Sequence, residues 1–95
     1  MDIDMVINEL YNVILDRIEK KPPNSYTAEL ASKGIPFVAR KFGEEALEVI
    51  VAALTESRER FVNEVADMMY HLLVLMALKN VTPGDIASEL KRRRR

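Results

Sequence analysis

Two pairs of acids at helical spacing carry the most visible chemistry in this chain: Glu45 with Glu48, and Glu64 with Asp67. A three-residue step keeps both members of a pair on one helix face. On a single helix such a face is ordinarily a solvated surface with i, i+4 partners, and Lys41 to Glu45 is one such pair. Two such faces in matched register are different. Four carboxylates meeting across a helix–helix gap of roughly 8–10 Å repel strongly unless a cation occupies the space. Hard oxygen ligands select Mg²⁺, or Mn²⁺, over zinc, and the chain has no Cys to compete. Magnesium held this way keeps several waters and leaves positions for phosphate oxygens.

The elements that must position these acids are helices. Apolar residues recur at three- and four-residue steps through Met5, Val6, Leu10, Val13, Ile14 and Ile18, which predicts a first helix from about Ile3 to Lys20. Pro22 and Pro23 stop it. Asn24 and Ser25 can cap a second helix over about Tyr26 to Lys33, which Gly34 ends as a left-handed cap. Pro36 suits a first helical turn, and a third helix follows over Phe37 to Leu54. A turn at Thr55, Glu56 and Ser57 leads to a fourth helix over about Arg58 to Lys79, with Asn80 as its C-terminal cap. Thr82, Pro83 and Asp85 open a last helix that runs into Arg92 to Arg95. The fold class is all-α, a helical bundle with short connections that favour antiparallel neighbours.

If the chain turns at Glu56, residues whose numbers sum to 112 lie opposite each other. Glu48 then faces Glu64, Glu45 faces Asp67, and Lys41 faces His71. On the third helix Lys41, Glu44, Glu45, Glu48 and Ala52 share one arc, bordered by a buried arc of Val38, Phe42, Ala46, Val49, Ile50 and Ala53. The fourth helix is apolar over most of its circumference, so one small chain cannot cover it. The bundle is expected to be completed by homodimerisation.

Composition sets the frame. Ninety-five residues make one small domain, residues 1–95, with 48% hydrophobic and 31% charged residues. That balance excludes a disordered chain, and a net charge of −1 gives no basic field to draw nucleic acid. The longest unbroken apolar run, Leu72 to Leu78, is far short of the roughly 20 residues that span a bilayer, so no membrane partner is expected. Absent cysteines and an acidic N-terminus lead us to expect a soluble, cytoplasmic protein. His71 on its own reads as a packed helical histidine, Tyr70 and the methionines as core or interface, and the run from Lys91 to Arg95 as a solvated tail.

The string Glu44-Glu45-x-x-Glu48 followed by Glu64-x-x-Asp67 resembles the signature of the MazG-like all-α nucleotide pyrophosphohydrolases. Ser25-Tyr26-Thr27-Ala28-Glu29-Leu30 with Gly34, Lys41-Phe42-Gly43, and the run from Asp67 through Tyr70-His71 narrow the resemblance to the phosphoribosyl-ATP pyrophosphohydrolase family. The matching stretches cover about Leu10 to Arg93 in order. Met68 and Met69 stand where relatives commonly have leucines. The resemblance implies hydrolysis of the α–β phosphoanhydride of phosphoribosyl-ATP, a small-molecule nucleotide, as the second step of histidine biosynthesis. It implies Mg²⁺ on Glu45, Glu48, Glu64 and Asp67, and Glu44 or Glu45 as the base that orients water. Lys41, with Arg40 or Lys33, would contact phosphate oxygens, and Ser25, Tyr26 and Thr27, with His71, would shape the nucleotide end. The phosphate on the second ribose needs a cation of its own, either Lys33, Arg40 or the Arg92 to Arg95 tail. Two other readings stand beside this one. A sibling enzyme acting on other nucleoside triphosphates would use the same acids, and a non-catalytic helical dimerisation module would bind no divalent metal.

Overall fold

Prolines and side-chain caps cut the chain into five helices, and each cut is legible in atomic detail. The computed structural model describes residues 1–94. In order come α1 (Ile3–Lys20), α2 (Tyr26–Ser32), α3 (Ile35–Thr55), α4 (Arg58–Leu78) and α5 (Pro83–Arg92). No strand occurs among the described residues. α1 ends at Lys21, which takes the left-handed conformation (φ 52°) ahead of the proline pair. The Ser25 Oγ then accepts the Ala28 N–H at 3.1 Å and caps α2 alone, while Asn24 makes the left-handed turn before it (φ 66°). The Ser57 Oγ accepts the Arg60 N–H at 3.2 Å to start α4. Thr82 and Asp85 form a reciprocal capping box for α5. Asn80 sits in the left-handed conformation (φ 59°) just past the Lys79 cap of α4, the C-terminal role expected of it.

Three boundaries differ from expectation. Gly34 does not close α2; Lys33 does, in a right-handed conformation. Gly34 instead has φ 90° and ψ 168° and serves as the N-cap of α3, which begins at Ile35 with Pro36 in its first turn. A single residue therefore joins α2 to α3 and sets the angle between them. At the other end, α5 stops at Arg92 with Arg93 as its cap, so the arginine tail does not extend the helix. Arg95 lies outside the described residues.

α3 and α4 form the most extensive contact, an antiparallel hairpin turned by Glu56 and Ser57. The core sits at one end of it. Tyr11 and Ile14 of α1 and Leu30 of α2 pack with Val38, Leu73, Val74, Met76 and Ala77 at the proximal half of the hairpin. The buried Tyr11 hydroxyl donates to the Val81 carbonyl at 2.7 Å and ties α1 to the α4–α5 connection. The distal half has no such cover. Ile50, assigned above to the buried arc, is 56% exposed, as are Leu47, Val51 and Leu54 in varying degree. The reason is the heptad spacing of Val38, Glu45 and Ala52, the buried residues of α3, which leaves the far side of the apolar arc, Ile50 and Ala53, exposed.

By length and composition α4 is also long and apolar enough to cross a membrane, with a mean hydropathy of 1.4, which a count of unbroken apolar residues overlooks. Its contacts are those of a bundle's central helix: it touches α1, α2 and α3, and it buries Glu64 and His71 in protein.

Replacing Gly34 by Ala should test the joint. A Cβ meets no close atom there, so the cost is the positive φ itself, about 1–2 kcal/mol. The expected result is a melting temperature lower by roughly 4–8 °C per kcal/mol in a domain of this size, read by thermal unfolding. An unchanged melting temperature would show that the joint is not held by its backbone.

Candidate functional site

Glu45, Glu48 and Glu64 meet on the α3–α4 seam. One carboxylate oxygen from each lies within 4.8 Å of the others. Glu45 and Glu64 are only 8% and 6% exposed, whereas Glu48 and Asp67 face outward. Helical geometry explains the division. Seven residues return almost to the same face, so Glu45 lies on the stripe of Val38 and Ala52, and Glu64 on the stripe of His71. A three-residue step falls about 60° short, which puts Glu48 and Asp67 on the flank of the seam. The pairing of Glu48 with Glu64 follows the register read from the sequence. Asp67 stands outside the three-acid cluster.

Of the three acids, Glu64 has a direct cationic partner. The Arg60 Nη2 donates to the Glu64 Oε2 at 2.7 Å and the Arg60 Nε reaches Glu56 at 3.4 Å. Glu45 is held above its ordinary pKa, first by burial and then by the adjacent Glu48, with His71 and Lys41 pulling the other way. A carboxyl in this state keeps its proton more readily than a surface glutamate.

His71 is buried beside this cluster and its tautomer follows from geometry. Its Nδ1 lies 2.7 Å from the Asp67 carbonyl, which can only accept, so Nδ1 carries a proton. The other nitrogen, Nε2, lies 3.2 Å from the Tyr26 hydroxyl. Tyr26, Tyr70 and His71 form a three-ring cluster, with the Tyr70 and His71 centroids 5.1 Å apart and nearly perpendicular. The Tyr70 hydroxyl meets the Thr27 Oγ1. These contacts fasten the start of α2 to the middle of α4. Ser25 works one step back, as the cap that starts α2.

The exposed edge of Tyr26 opens into a cleft of about 250 Å³ between α2 and the first half of α3. Lys33, Arg40 and Lys41 line it with Phe37, Glu29 and Glu44. The residues singled out from the sequence thus fall into two neighbouring groups on α3, the acids of the seam and the cations of the cleft, with Tyr26 and His71 between them. Arg92 and Arg93 are elsewhere, both paired with Glu89 on α5. Arg60 and Phe37 carried no role in the sequence reading, and Thr27 and Tyr70 were named there without their contact with each other. The i, i+4 step from Arg60 to Glu64 was a visible signal. The Phe37 position was not, because Lys33 reaches it only across the Gly34 joint.

A sequence profile described as phosphoribosyl-ATP pyrophosphohydrolase matches residues 7–94. The chain belongs to the phosphoribosyl-ATP pyrophosphohydrolase family. It is 64% identical over 90 residues to the phosphoribosyl-ATP pyrophosphatase of Saccharolobus solfataricus, covering 95% of this chain and 96% of that protein. A protein of the same description from Saccharolobus islandicus is 63% identical over 90 residues, with the same coverage. A third, from Sulfurisphaera tokodaii, is 60% identical over 88 residues, 93% of this chain and 94% of the relative. The family motifs fall on the seam and the start of α2, the places where this fold gathers its acids and its aromatic cluster.

For a member of this family, an all-oxygen donor set with one carboxyl pushed up by its neighbours fits a hard divalent cation. Replacing Glu45 by Gln should therefore stabilise the cation-free protein. The native state holds the Glu45 proton more tightly than the unfolded chain does. Its contribution to stability is thus greatest at acid pH and falls as pH rises past the ordinary glutamate range. At neutral pH the amide removes that cost, so the melting temperature should rise, by roughly 4–8 °C for each kcal/mol relieved. Thermal unfolding in EDTA reads this, and a lower melting temperature for Glu45→Gln would mean that the carboxylate is structural.

Proposed function

We propose that this protein hydrolyses the α–β phosphoanhydride of phosphoribosyl-ATP, giving phosphoribosyl-AMP and pyrophosphate in histidine biosynthesis, in the cytoplasm where these soluble nucleotides reside. The observation that carries the reading is the convergence of Glu45, Glu48 and Glu64 within 4.8 Å, in a chain of this family, beside a cleft lined by cations. Glu45, Glu48 and Glu64 would hold Mg²⁺, or Mn²⁺, with Asp67, on the flank of the seam, as the fourth candidate ligand. Bound there, the ion neutralises triphosphate charge and polarises the phosphorus under attack.

The remaining work falls to side chains. Water adds to the α-phosphorus, the bond to the bridging oxygen breaks, and that oxygen leaves with pyrophosphate. The water's proton passes to a carboxylate of the Glu44–Glu45 pair. Glu45 suits the task by its place in the acid cluster, and Glu44 by its exposed position on the cleft wall. Lys41 is 3.9 Å from Glu44 and is placed to stabilise charge developing on the departing anhydride oxygen.

The working unit we propose is a homodimer. Leu47, Ile50, Val51 and Leu54 of α3, with Phe61 and Val62 of α4, leave the distal hairpin apolar and uncovered next to the acids. A second copy packed there would complete the bundle and exclude water from the seam. Light scattering at micromolar concentration should report a dimer or a multiple of it, and a folded monomer would defeat this assignment.

Two measurements test the reaction. Mg²⁺ should raise the melting temperature of the wild type by binding the native state. Glu64→Gln and Asp67→Asn should lower pyrophosphate release by 100-fold or more on the scale of lost electrostatic groups, about 3 kcal/mol, without unfolding the protein. In ¹⁸O-labelled water the label should appear in phosphoribosyl-AMP. Orthophosphate as a product, or label in pyrophosphate, would overturn the attack on the α-phosphorus.

A further inference from the structure

Lys33 and Arg40 hold positive charge in a place where the acids of the seam do not use it. The Lys33 Nζ lies 4.8 Å from the centroid of the Phe37 ring, and the Arg40 Cζ lies 5.1 Å from it. The two cations therefore converge on one aromatic ring from either side of the Gly34 joint. Their acidic partners are distant: Glu29 is 4.0 Å from Lys33 and Glu44 is 4.0 Å from Arg40. Pairs this long between exposed side chains contribute little. Like charges gathered without firm counter-ions, in a concave wall, make a binding place for an anion. Arginine offers a planar fork and lysine a compact charge, a combination matched to a phosphate monoester.

Position decides which phosphate. Phe37 and Arg40 precede Glu45 and Glu48 by eight residues each, a rise of about 12 Å along α3. A ligand gripped at both places must carry anionic groups at two well-separated ends. Phosphoribosyl-ATP does, with its triphosphate on one ribose and a single phosphate on the other, the purine between them. Tyr26 joins the two places, since its ring lines the cleft and its hydroxyl meets His71 beside the seam. Of the basic tail, Arg92 and Arg93 are engaged elsewhere within the protomer, both with Glu89 on α5, which packs on α1.

We infer that Lys33 and Arg40, seated against Phe37, form the subsite for the phosphate of the second ribose and so set the preference for phosphoribosyl-ATP over ATP. The inference rests on the reaction proposed above and assigns its substrate specificity to two named side chains.

The test is the double variant Lys33→Ala with Arg40→Ala, set beside the charge-preserving Lys33→Arg with Arg40→Lys. Both native side chains are exposed, and circular dichroism will confirm that the variants fold. Losing two charge-assisted contacts at roughly tenfold each should raise KM for phosphoribosyl-ATP about 100-fold while kcat changes much less. Calorimetric titration of the magnesium-loaded protein with phosphoribosyl-AMP and with AMP gives a second readout. The wild type should prefer phosphoribosyl-AMP, the alanine variant should bind the two alike, and the charge-preserving variant should keep most of the preference. Equal weakening toward both ligands, or no change toward either, would overturn the assignment. If the wild type fails to release pyrophosphate from phosphoribosyl-ATP, the reaction proposed above falls, and the titration still decides the subsite.

Discussion

Glu45 on α3 and Glu64 on α4 are buried on facing helices with carboxylate oxygens within 4.8 Å of each other. Two ionised groups at that separation repel by about 3–4 kcal/mol at an effective dielectric constant of about 20. The rest of the structure accommodates this repulsion. Arg60 donates to Glu64, Lys41 and His71 favour the ionised form of Glu45, and Glu45 nonetheless holds its proton more tightly than usual. A chain selected for stability alone would place apolar side chains at these seam positions. The hairpin instead concentrates its apolar packing at the other end, where Ile14, Val38 and Val74 are fully buried. Stability is generated in the proximal half and used in the distal half.

That separation explains the exposed apolar face. A seam filled with carboxylates provides little adhesion between α3 and α4, and neither α1 nor α2 extends over it. The second copy proposed above, packed against the exposed Leu47, Ile50 and Leu54, would give the acids a dry, rigid setting. Low dielectric strengthens the acids' grip on a cation as much as it strengthens their mutual repulsion. The features that make the protomer poorly covered are therefore the ones that suit it to bind a highly charged ligand.

The helices and much of the seam were legible in the sequence for local reasons. Prolines, Ser25, Ser57 and the Thr82–Asp85 box act within a few residues, so the helix ends could be read almost to the residue. The opposition of Glu48 and Glu64 followed from a two-residue turn, which fixes register by itself. Asp67 and Ile50 were harder. Both depend on which stripe of a helix meets its neighbour, and an arc of 100° holds more residues than a helix–helix contact can bury. Gly34 was misread for a related reason. Its glycine identity announces a positive φ, but the accompanying ψ of 168° makes it a joint and not a helix stop. The joining of Lys33, Phe37 and Arg40 depends on that ψ, and no spacing rule contains it.

The joint also gives α3 its second use. Along one continuous helix Arg40 and Lys41 come first and the seam acids one to two turns later, so their separation is fixed by helix rise and not by loop conformation. Loops can adjust to a ligand; a helix cannot shorten. A ligand with one anionic end would satisfy one group and leave the other unpaired, a loss of the kind that gives polar recognition its steep discrimination. With the subsite proposed above, selection for a nucleotide bearing phosphates at both ends would need no closing lid. It follows from a cap, one glycine and an uninterrupted run of helix from Ile35 to Thr55.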